Sequence, residues 1–275
     1  MPTAQSLAVD SVPTDRISNA VALISGAMNL ALILGPILGG LLFDLFGPEG
    51  AYVMVASVYV LSGTLTFFIG TTRATVAKKG ESVFSMVGEG LRYVKSEQLL
   101  WSALVVAVIF NITGFSFHTT LVPIFAKDVL DRNSVDLGIM LSIFGIGGLI
   151  GAMIWAAIPN LKHAGGLCIL AVIGWHSTMI IFAMSTNFYI SSGILLVSGM
   201  MFNSSLVMVL TVLMKTGRSE FRGRIMGLRT LAIYAHAFGS LGAGAIAGAL
   251  GAPATAVLSG VLGITMMLAL SLIHI

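Results

Sequence analysis

The sequence predicts an all-α polytopic membrane protein of about eight transmembrane helices, and three observations predict it. Of the 275 residues, 57% are hydrophobic and only 9% charged, whereas a water-soluble domain carries about a quarter charged residues. The apolar residues gather into eight stretches, each near the ~20 residues that cross a bilayer core. The 32 glycines fall inside those stretches without a three-residue period, as close-packing positions of membrane helices do.

In order the stretches are Ala20 to Phe43, Ala51 to Gly70, Leu99 to Phe125, Leu137 to Ile158, Gly166 to Met184, Phe188 to Met214, Ile225 to Leu250 and Pro253 onward. An even number of crossings puts both termini on one side. On that side fall Arg16, Arg73, Lys78, Lys79, Arg92, Lys95, Lys162, Lys215, Arg218, Arg222 and Arg224. Only Lys127 and Arg132 fall opposite, and Arg229 lies just inside a helix. Cytoplasmic loops accumulate Lys and Arg, so both termini are expected in the cytoplasm and the helices in a bacterial inner membrane. Met1 to Ala20 lacks the basic start and apolar core of a secretory signal. The +3 net charge serves orientation, because no basic stripe with interleaved aromatics points to nucleic acid. Cys168, alone in an apolar run, reads as a small filler and excludes an intrachain disulfide.

A long loop divides the chain into residues 1–70, with two helices, and residues 99–275, with six. Within the loop, 71–98, Phe84, Val87, Leu91 and Val94 recur at helical spacing while Glu89, Arg92 and Lys95 take other faces. That pattern predicts an amphipathic helix on the cytoplasmic surface. The chain also repeats itself weakly. DRISNAVAL from Asp15 aligns with EFRGRIMGL from Glu220, and GPILGG at 35–40 then meets GSLGAG at 239–244. In each copy a charged loop enters a glycine-rich helix, as two halves of a duplicated transporter would.

The first helix carries Gly35-Pro36-x-x-Gly39-Gly40, with Gly26 and Ala31 upstream. This resembles the antiporter motif that the major facilitator superfamily places on its fifth helix. PTAQSLAVDSVPTDRISNAVAL, GEGLRYVKS, LVPIFAKDVL and RGRIMGLR follow the order of its bacterial efflux branch, which includes enterobactin-exporter-like and macrolide-efflux-like proteins. Ala22 and Ala31 stand where members often have glycine. The resemblance covers Pro2 to about Ala269 and implies the last eight helices of a twelve-helix fold, with the first four helices of the same protein absent. Leu270 to Ile275 resembles a translated sequencing adapter, so His274 is left out of the candidate set.

Two small-residue stripes that face each other can slide at little steric cost, as alternating access requires. The resemblance sets the Gly35, Pro36, Gly39 and Gly40 segment against Gly138, Ser142, Gly145 and Gly148 of the Leu137 to Ile158 helix. Static packing is the plainer reading of both. Polar side chains in hydrocarbon are costly and face a cavity or a partner helix. Asn111 and His118 lie two turns apart on one face with Gly114, Asn203 follows Gly199 by four, and His236 follows Arg229 by seven. The family lines its central cavity with these helices, so Asn111, His118, Asn203 and His236 are the candidate pathway residues. His176, on a helix the family keeps peripheral, is expected only to satisfy a neighbour. Glu220, Arg222 and Arg224 are the candidate cytoplasmic gate, against the plainer reading of a charged turn that sets orientation.

No acidic residue lies deep in a helix, so proton coupling within this chain would fall to His118 and His236. No phosphate-binding loop implies ATP, and neither a His-Glu-x-x-His set nor a pair of intramembrane aspartates supports an enzyme. No metal or cofactor is expected. The function implied is secondary efflux of a small hydrophobic or siderophore-like compound, and the alternative is a non-transporting assembly or binding subunit.

Overall fold

The computed structural model describes residues 17–68, 83–158 and 164–274. Arg16, Arg73, Lys78, Lys79 and Lys162 lie outside them, as does the Asp15 end of the repeat. Every regular element among the described residues is helical. Seven helices are long and apolar enough to cross a membrane.

The chain divides into two compact units. The first comprises Met1–Gly80 and Asn133–Ser142, and its main element is α1, Ile17–Phe67. The apolar span Leu30–Phe67 holds 38 residues, about 57 Å at helical rise against a ~30 Å hydrocarbon core. It cannot be one crossing. Gly47, at φ 68°, interrupts the helical backbone immediately before Pro48. Glycine takes that left-handed conformation without a Cβ penalty, and proline suits the first turn of the helix that follows. The interrupted α1 thus supplies two crossings, which makes eight among the described residues. The opening of α5, Ser134–Ala156, belongs to the same unit. There a Cβ on Gly138 would strike the Pro36 carbonyl and one on Gly40 would strike the Ser134 carbonyl. Ser142 donates to the Ile33 carbonyl.

The second unit comprises Glu81–Arg132 and Ile143–Ile275. The amphipathic α2, Val83–Ser96, buries Val94 and packs Leu91 against the core, while Val87 is exposed; the Phe84 side chain lies outside the described set. Beyond it run α3, Gln98–Ile109, and the short α4, Val122–Asp128. Next come α6, Ala164–Ala183, and α7, Phe188–Thr216, whose first turn is capped by the Asn187 side chain accepting from the amides of Tyr189 and Ile190. The set closes with α8, Arg222–Tyr234, α9, His236–Leu250, and α10, Ala252–His274. Glycine sits at the close crossings. Gly147 and Gly151 of α5 meet the backbone of Leu196 and Met200 on α7, and Gly199 answers against the Phe144 carbonyl. Because lipid tails are as apolar as leucine, such backbone approach, rather than apolar burial, selects which helices pair.

Candidate functional site

The residues between α3 and α4 do not continue an α-helix. Phe110–Gly114 and Phe117–Leu121 are both π-helical. Each wide turn takes in an extra residue, which rotates everything beyond it by about 100°. Two residues seven apart therefore no longer share a face. Asn111 and His118, expected together, have different surroundings.

His118 enters an aromatic cluster. Its ring stacks on Phe144 of α5, with centroids 4.8 Å apart and planes at 16°. It meets Phe202 of α7 edge-on at 5.1 Å and Phe115 at 4.7 Å. Phe202 is the hub, with Trp175 of α6 at 5.0 Å and Phe110 at 5.3 Å. His236, first residue of α9, joins the cluster through Phe115, at 4.7 Å. Offset and edge-on ring contacts of this kind are the favoured ones. The buried Nδ1 of His118 and Nε1 of Trp175 have no hydrogen-bond partner among the described residues. Buried polar atoms of that kind are rare and call for an explanation.

The other predicted residues are placed as follows. Asn111, 3% exposed, donates its amide to the Ala107 carbonyl at 2.7 Å and lines a small cavity with Ser205 and Arg229. Asn203 donates to the Gly148 carbonyl and so ties α7 to α5. Arg229 and His236 do not share one site: Arg229 belongs to the cavity and His236 to the aromatic cluster, on separate helices that meet at Ala235. His176 has the expected partner, with Nε2 2.8 Å from the Thr113 hydroxyl. Its Nδ1 lies 2.8 Å from the Val172 carbonyl, which only accepts, so in the neutral ring the proton sits on Nδ1 and Nε2 accepts.

The small-residue stripe of α5 is not a single surface, a correction to the expectation from sequence. Gly138 and Ser142 meet α1, whereas Gly148 lies against Asn203 and Gly199 of α7. Ten residues of α-helix leave Gly148 about 80° round from Gly138, enough to give it a different neighbour. Gly145 is half-buried. Pro36, Gly39 and Gly40 line an apolar groove with Ser134 and Gly138, while a Cβ on Gly35 or Gly39 would meet nothing. Of the charged turn, Glu220 and Arg222 are exposed. Arg224 pairs instead with Glu89 of α2, at 3.0 Å, and Tyr93 stacks on Phe221 at 4.2 Å.

Sequence reasoning missed the aromatic hub and the role of Glu89. The five-residue step from Phe110 to Phe115 matches a π turn, and it was the available signal. Among the described residues no group of three His, Cys, Asp or Glu side chains could hold a metal.

Helices that cross through glycine, with an aromatic cluster gathered around one broken helix, define a multi-pass membrane protein of the transporter class. The fold is shared with a bacterial homolog of the human lysosomal transporter Spinster, crystallised inward-facing and unoccupied. The likeness has a TM-score of 0.64 and 13% identity, over 99% of this chain and 72% of that one. The chain belongs to the transmembrane secretion effector family of the major facilitator superfamily, whose model matches residues 1–275. It is 26% identical over 244 residues to the multidrug efflux pump Tap of Mycolicibacterium fortuitum, covering 87% of this chain and 59% of that protein. It is 25% identical over 184 residues to the PmrA-homolog multidrug resistance efflux pump of Lactococcus lactis, covering 66% and 44%. The chain thus spans about half the length of the relatives it matches.

Proposed function

We propose that this chain is the part of a secondary exporter that holds the substrate, and that the substrates are small hydrophobic compounds carrying an aromatic ring. The observation that carries the reading is the cluster of Phe115, Phe144, Trp175 and Phe202 together with His118 and His236. Aromatic faces accept any planar apolar ring, which suits the multidrug efflux named in its relatives. The Pro36 and Gly138 crossing supports alternating access, since small residues let one helix move past another. The excess of Lys and Arg on one side supports an inner-membrane protein with both termini cytoplasmic. The reading includes further helices of the same protein that complete the cavity wall: only 6% of the most apolar stretch of Leu30–Phe67 is buried. His118 and His236 would carry any coupled proton.

The test is export of an aromatic dye from proteoliposomes by this chain extended with four upstream helices of a relative, beside its Phe202→Ala variant. Dye flux that falls at least tenfold in the variant, with unchanged protein yield, is the expected result. Equal flux in both removes the cluster from the substrate path. Flux by the unextended chain equal to the extended one removes the need for further helices.

A further inference from the structure

The aromatic cluster does not account for Arg229. It is a half-buried cation on a membrane-spanning helix, and it makes neither an ion pair nor a hydrogen bond with any described residue. Charge in that setting is costly and is ordinarily paired or faces an aqueous cavity. Arg229 instead lines a cavity with Asn111, Ser205, Phe110 and Ile233. The lining is mostly apolar, and its charged and amide side chains supply donors. Arg229 brings five N–H groups and the Asn111 amide two, of which the Ala107 carbonyl takes one, at 2.7 Å. The Ser205 hydroxyl donates to the Met201 carbonyl at 2.8 Å. No carboxylate of the described residues lines the cavity. Its volume, about 10 Å³, holds one water-sized atom, so no ring fits but a single oxygen does. Asn111 stands in the first π-helical turn, the kind of distortion found at functional sites. Phe110 belongs to both places: it lines the cavity and packs on Trp175 at 4.3 Å.

We infer that the Arg229 and Asn111 cavity is an oxyanion subsite, taking one charged oxygen of an aromatic substrate whose ring lies against the Phe202 cluster. The inference rests on the export reading above and narrows it to aromatic acids and other aromatic oxyanions. Arg229 and the free Asn111 N–H then donate to the same oxygen, a charge-assisted arrangement stronger than a neutral one.

The test is equilibrium dialysis of the purified chain, in a maltoside detergent that carries no anionic group, against 2-naphthoate and 2-naphthamide, which share ring and shape and differ in charge. The wild-type chain should bind naphthoate at least tenfold more tightly. Arg229→Gln should erase that preference, while Arg229→Lys should keep part of it. Asn111→Leu should weaken naphthoate severalfold and serves if Arg229→Gln fails to fold. Equal wild-type binding of the two probes, or a preference that survives Arg229→Gln, would mean that the arginine merely reaches toward the membrane surface. Either result overturns the subsite and leaves the aromatic reading standing. Binding of neither probe overturns both.

Discussion

The most apolar stretches of the spans Leu30–Phe67 and Gln98–Asp128 have the same mean hydropathy, 2.0, yet 6% of the first stretch is buried and 67% of the second. Apolarity sends both into a bilayer and says nothing of their neighbours, because lipid and helix offer a leucine the same surroundings. What separates them is the other residues. The hydroxyls of Ser57, Thr64 and Thr66 in the first turn back to their own helix, four residues upstream. The second carries buried Asn111, Thr113 and Ser116, a pair of π turns and a bond to another helix.

The largest expected effect sets one residue type in both regions. Phe117 is 0% exposed and packs on Phe182, while Phe67 is 88% exposed. Phe117→Ala should cost about 3–5 kcal/mol and Phe67→Ala less than about 0.5 kcal/mol, read by unfolding in detergent. Equal losses would break the comparison. Glycine sharpens it within the first unit. Gly138→Val drives a side chain into the Pro36 backbone, whereas Gly63 has nothing within reach. Overpacking at Gly138 should cost about 1–3 kcal/mol, and Gly63→Val should be close to neutral by the same measurement.

Threonine gives a smaller contrast. Thr113→Val leaves the buried Nε2 of His176 without its donor, while Thr64→Val removes only an exposed bond to its own helix. About 1 kcal/mol is expected for the first and nothing measurable for the second. A Thr113→Ser variant that restores wild-type stability would tie the loss to the hydroxyl rather than to the added methyl group.

The number of crossings was legible because length and hydropathy decide it, and the stretches ending at Phe43 and beginning at Ala51 bracket the break that falls at Gly47. The amphipathic α2 was legible from its period. The composition of the site was not. The expectation that Asn111 and His118 share a face assumed an α-helix over seven residues, whereas each stands in a π-helical turn and has different surroundings. The aromatic hub brings together Phe115, Phe144, Trp175 and Phe202 from four segments far apart in sequence. In a chain this apolar, no local pattern distinguishes a phenylalanine facing lipid from one facing a cluster.

The smallest effect lies at the surface, where neither lipid nor core decides the outcome. Glu89 and Arg224 join α2 to α8 at 3.0 Å, with side chains 47% and 26% exposed. Arg224 also lies over the Phe221 ring at 5.3 Å, and the Tyr93 hydroxyl accepts from the Arg218 amide at 3.1 Å. If the aromatic and backbone contacts hold α2 in place, the ion pair adds only what a solvated pair can, about 0.2–1 kcal/mol. A double-mutant cycle with Glu89→Gln and Arg224→Gln isolates that coupling. It should shrink further in about 1 M salt, where the screening length drops to ~3 Å. Coupling above about 2 kcal/mol that ignored salt would mean the pair is desolvated and locks the two helices, and Arg224 would then rejoin the gate residues as one of a pair with Glu89.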